Sequence, residues 1–63
     1  MPDSPTNDLK ALLKANRLEQ GLSIQEVAER LGTPRSTVWR WETGKRKPSY
    51  EFVVKLREMG LLP

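Results

Sequence analysis

Residues 22–44 read LSIQEVAERLGTPRSTVWRWETG, from Leu22 to Gly44. Two short amphipathic helical patterns lie in this stretch, separated by Gly32-Thr33-Pro34. Ser23-Ile-Gln-Glu26 has the composition of a capping box, in which serine and glutamate satisfy each other's free backbone donors at a helix start. Thr33-Pro34 repeats the start signal, with a hydroxyl cap followed by proline at the first helical position, where a missing N–H costs nothing. Gly32 and Gly44 stand where each pattern stops, and glycine is favoured there because it enters the left-handed conformation without a side-chain clash.

The same punctuation extends outward. Gly21 and Gly60 close two further patterns, Leu9–Gln20 and Tyr50–Met59, with Thr6 or Asn7 and then Ser49 as their caps. The spacing predicts four helices, roughly 7–20, 24–31, 34–43 and 49–59. No segment alternates like a strand, and the pair Val53-Val54 sits inside a helical pattern. The fold class is all-α: a compact four-helix domain with room for a short extra turn at its C-terminal end. Residues 1–6 read as a flexible arm and residues 7–63 as one domain with its motif at 24–43.

Composition narrows the function. The 63 residues include no cysteine and no histidine. Disulfides and thiolate metal sites are thereby excluded, along with the commonest metal ligand and general acid/base. No apolar run has membrane-spanning length, and MPDSPTNDLK has no apolar core region of signal-peptide type. The expectation is a protein with no cofactor, metal or membrane, located in the cytoplasm.

Charge is uneven. Residues 30–50 hold six basic groups (Arg30, Arg35, Arg40, Lys45, Arg46 and Lys47) against the single acid Glu42. Of the 11 basic and 8 acidic residues in the chain, the remainder holds five and seven. Such a basic stripe is the electrostatic footprint of nucleic-acid binding.

At about 100° per residue, the third helix turns Pro34, Val38 and Trp41 to one side, with Thr37 and Glu42 at the edges. Arg35, Ser36, Trp39 and Arg40 fall on the other side, where no core needs them. Arginine offers parallel donors that match O6 and N7 of guanine in the major groove, and serine pairs with several base edges. Free N–H groups at the helix starts Ser23 and Thr33 suit DNA phosphates. This is the chemistry of a helix-turn-helix with helix 34–43 laid in the major groove of double-stranded DNA.

From about Leu9 to Met59 the chain resembles the phage repressor/Cro-like (XRE) helix-turn-helix family. The residues that carry the likeness are Gly21-Leu22-Ser23, Glu26-Val27-Ala28, Leu31-Gly32, Arg35-Ser36-Thr37-Val38, Trp41-Glu42 and Gly44-Lys45-Arg46-Lys47-Pro48. The resemblance implies a core of Leu22, Val27, Leu31, Val38 and Trp41, with small Ala28 letting the second and third helices approach. It implies base reading by Arg35, Ser36 and Arg40. Contacts to the DNA backbone would come from Ser23, Thr43, Lys45 and Arg46, with Lys47 in the same basic loop. Arg17 and Glu42 match a pair that forms a largely buried salt bridge in many members, which accounts for the acid inside the basic segment.

Three departures stand out. Where many members have a glutamine after the Ser23 position, this chain has Ile24, which shifts a phosphate contact to Gln25. Trp39 replaces a usually polar residue and is open to a sugar, a thymine methyl or a protein partner. The fifth helix that often helps these domains dimerise is expected to be missing, and Leu61-Leu62 either folds back on the core or forms a small dimer patch.

The function expected from all this is a sequence-specific transcriptional regulator, a repressor of prokaryotic or phage origin, nucleoid-associated, that represses by occupying a promoter. It would act as a weak homodimer or paired monomers on a palindromic site. The alternative is a small adaptor or antitoxin that binds a partner protein, motivated by Trp39 and Leu61-Leu62. An enzyme is not expected. Glu26 belongs to the capping box, Glu29 lies on an exposed face, and the chain has no glycine-rich phosphate loop.

Overall fold

The computed structural model describes residues 9–63. It contains α1 (Leu9–Glu19), α2 (Ile24–Leu31), α3 (Arg35–Thr43) and α4 (Tyr50–Glu58), with no strand among the described residues. The arm assigned to residues 1–6 and the cap at Thr6 or Asn7 lie outside the described residues. Helices of 8 to 11 residues are marginal alone in water, so packing must hold them.

α2 is built as its sequence requires. Ser23 has an extended backbone, its Oγ accepts the Glu26 N–H at 3.0 Å, and Glu26 Oε1 accepts the Ser23 N–H at 2.8 Å. At the other end Gly32 adopts φ 71°, and the Thr33 N–H reaches back to the Ala28 carbonyl at 3.0 Å. At Gly44, with φ 82°, a Cβ would also come within 2.9 Å of Lys10 Cδ, so the stem of Lys10 passes over this turn.

The start of α3 differs from the expectation. Pro34 is not its first helical residue but its cap, with φ −63° and ψ 149°, and its carbonyl accepts the Thr37 N–H. Thr33 makes no cap. Its N–H closes α2 on the Ala28 carbonyl, and the extended backbone of Pro34 moves the cap position one residue on. Pro34 is therefore exposed rather than on the buried side with Val38 and Trp41. Ser49 does occupy the cap position of α4, though its hydroxyl makes no capping bond.

Both α1 and α2 pack on α3. The core is Leu13, Val27, Ala28, Leu31, Val38, Trp41, Leu56, Leu61 and Leu62, with Leu22 half-buried against it. Trp41 meets Phe52 of α4 with ring centroids 5.2 Å apart and planes tilted by 52°. The C-terminal turn folds back into the core. Leu61 is fully buried, its N–H bonds the Leu56 carbonyl, and its own carbonyl accepts from Asn16 Nδ2 at 2.8 Å. That decides between the two expected roles of Leu61-Leu62, because a leucine with no exposed surface cannot be a dimer patch.

Candidate nucleic-acid interface

Residues near the end of α1, the start of α2 and the start of α3 meet at one open cleft. Ser23, Ile24 and Gln25 line one part of it, and Pro34, Arg35, Ser36 and Trp39 another. The capping box fixes where α2 begins, and the turn at Gly32 aims α3 past it. Val38 is fully buried and Trp41 nearly so, which leaves Arg35, Ser36, Trp39 and Arg40 exposed on the opposite side of α3.

The candidate residues do not form one cluster. Arg40 lies by a second cleft with Thr37, Arg46, Lys47 and Ser49. Lys45 instead approaches Trp39, its Nζ standing 6.0 Å from the ring centroid, at the edge of cation–π range. Thr33 and Thr43 line neither of these clefts. The Thr43 hydroxyl donates to the Arg40 carbonyl at 3.3 Å, and Gln25 Nε2 donates to Glu29 Oε2 at 3.0 Å. Ile24 and Pro34 are cleft residues that the sequence does not announce; it marks the first only as a departure and the second only as a helix signal. Thr37 and Ser49 are likewise unannounced, because their hydroxyls read only as the edge of α3 and the cap of α4.

Arg17 also lines the cleft, and it pairs with Glu42. Arg17 Nε donates to Glu42 Oε2 at 2.6 Å and Nη2 donates to Oε1 at 3.0 Å, while Nη1 donates to the Leu22 carbonyl at 2.8 Å. The side chains are only 9% and 4% exposed. One guanidinium thus ties α1, the turn before α2 and the end of α3, so the orientation of α3 is held by a bidentate, charge-assisted contact.

Glu26 is hydrogen-bonded to Ser23, one of the cleft residues. Hydrogen bonds from the Ser23 backbone and then its hydroxyl hold the carboxyl below the usual glutamate range, and the charge of Arg30 adds to this. A carboxyl whose pKa is lowered by folding stabilises above its unfolded value, about 4.3, and loses that contribution as pH falls through the lowered folded value. Thermal melts through the acid range are therefore expected to show a decline that is smaller in Glu26→Gln. Identical acid profiles for the two proteins would remove the capping box from the account.

A basic face on the second helix of a tight two-helix turn, braced by a buried ion pair, defines a class: the helix-turn-helix nucleic-acid-binding domains. The helix-turn-helix family model matches residues 13–59, and the chain belongs to that family, the Cro/C1-like (XRE) type, whose members bind double-stranded DNA. It is similar to curated proteins of archaea. A UPF0251 protein of Thermococcus kodakarensis is 41% identical over 44 residues, 70% of this chain and 39% of that protein. UPF0251 proteins of Pyrococcus furiosus and Pyrococcus horikoshii are 39% and 41% identical over the same length, 70% of this chain in each case and 41% and 40% of theirs. The chain thus spans about two fifths of the length of the curated relatives it matches. No solved structure matches it significantly. Among the described residues no helix is long and apolar enough to cross a membrane.

Proposed function

We propose that the protein is a sequence-specific transcriptional regulator, acting as a repressor, that reads the major groove with α3. The observation that carries this is the division of α3. Val38 and Trp41 anchor it, and Arg35, Ser36, Trp39 and Arg40 stand exposed where no packing role employs them. Arg35 and Arg40 take guanine edges, Ser36 takes a neighbouring edge and Trp39 lies along the groove. Ser23, Gln25, Thr33, Thr43, Lys45, Arg46 and Lys47 are assigned to backbone phosphates, Thr33 through its hydroxyl because its N–H is taken by the Ala28 carbonyl. Two copies occupy a palindrome with half-sites about one helical turn, roughly 34–36 Å, apart.

Selection from random duplex DNA, followed by anisotropy titration of the selected and a scrambled duplex at two salt concentrations, tests this. A preference of about a thousandfold, with affinity falling steeply in salt, is the expected result. Arg35→Ala is expected to lose about 1–3 kcal/mol and to relax preference at one position. Lys47→Ala should weaken both duplexes alike and flatten the salt slope. Equal weak binding to both duplexes would sink the regulator and favour an adaptor that binds protein. That second reading has lost one of its two supports, since Leu61 and Leu62 are buried.

A further inference from the structure

The cleft between α2 and α3 sets three apolar side chains, Ile24, Pro34 and Trp39, among the polar Ser23, Gln25, Arg35 and Ser36. Trp39 is 46% exposed, so its indole is not part of the core. Lys45 Nζ, 6.0 Å from the ring centroid, keeps a cation beside the indole and places it on the basic side of the molecule. Apolar side chains set beside Arg35 and Lys45 suit a ligand that is anionic as a whole and carries a small apolar projection.

Duplex DNA offers one such projection in the groove. Among the base edges displayed there, the sole apolar group is the 5-methyl of thymine. We infer that Ile24, Pro34 and Trp39 form a methyl-reading wall that selects thymine at one position of each half-site, next to the guanine taken by Arg35. This deepens the proposed function and rests on α3 entering the major groove. The methyl is what distinguishes the selected base from both cytosine and uracil, since the Ser36 hydroxyl can donate to O4 or accept from N4. Polar side chains at 24 and 39 would leave that methyl against groups that prefer water.

The test uses the duplex selected above, with each thymidine replaced in turn by deoxyuridine, which deletes the methyl and keeps every hydrogen-bonding group. One position per half-site is expected to lose about four-fold in affinity, the worth of one buried methylene-sized group. The other positions should be unaffected. In Trp39→Ala the thymine-to-uracil difference at that position should vanish, and in Ile24→Gln, which makes the wall polar without removing the indole, it should shrink. Equal affinity for every substituted duplex, or a selected half-site that lacks thymine, overturns the methyl wall while leaving base reading by α3 intact. A loss of the same size in wild type and both variants also overturns it, because the methyl is then sensed elsewhere. Failure to select any duplex removes the groove reading itself, and the methyl wall with it.

Discussion

Glu42→Ala is expected to destabilise the domain by about 3–5 kcal/mol, the usual cost of removing one member of a buried ion pair. The substitution strands the Arg17 guanidinium in a site where its side chain is only 9% exposed. Two of its three hydrogen bonds go to Glu42, and the third, to the Leu22 carbonyl, cannot neutralise it. At about 0.05–0.15 kcal/mol per residue, a chain of 63 residues holds only roughly 3–9 kcal/mol in total. The variant should therefore be largely unfolded in the warm, and DNA binding should fail with it. Urea denaturation read by helical circular dichroism measures the loss. A change under about 1 kcal/mol would mean that the pair is solvated and does not brace α3. The double variant Arg17→Met, Glu42→Leu separates charge from packing. It should recover most of the loss, since a buried ion pair replaced by apolar groups is often neutral.

Trp41→Ala should cost about as much, roughly 3–5 kcal/mol, for a different reason. Trp41 is 4% exposed and carries α3 onto Phe52 of α4 at 5.2 Å. Truncation leaves a cavity bounded by short helices that cannot hold their shape without it. Two residues earlier, Trp39 is 46% exposed, and Trp39→Ala is expected to change stability by no more than about 0.5 kcal/mol. The same substitution in one short helix should unfold the protein at one tryptophan and alter only recognition at the other. Parallel thermal melts of the two variants check this. Similar losses in both would mean that the split between the buried and recognition faces of α3 is misplaced.

That split is legible in the sequence, because a helix repeats every 3.6 residues and the stretch from Arg35 to Trp41 obeys the period. The start of α2 is legible too. Ser23 and Glu26 are three residues apart and need nothing distant to form their box. Sequence misleads where two local signals compete. Thr33-Pro34 looks like a cap followed by a first helical residue, yet Pro34 is itself extended, with ψ 149°. The helix start then moves one residue on, to Arg35, and Pro34 is turned out to solvent.

Four helices, their approximate ends and the side of α3 that carries its arginines all follow from the order of residues, since each depends on neighbours within about one or two turns. Tertiary packing was needed to send Leu61 and Leu62 inward, where the Leu61 carbonyl meets Asn16 across 45 positions. Packing also brings Ile24 and Pro34 into one cleft with Trp39. It supplies the geometry of Arg17 and Glu42, 25 positions apart, which family likeness suggests but spacing does not. The difference is one of range. Helical periodicity and capping are set by nearby backbone geometry, whereas a partner on another helix is set by the path of every turn between.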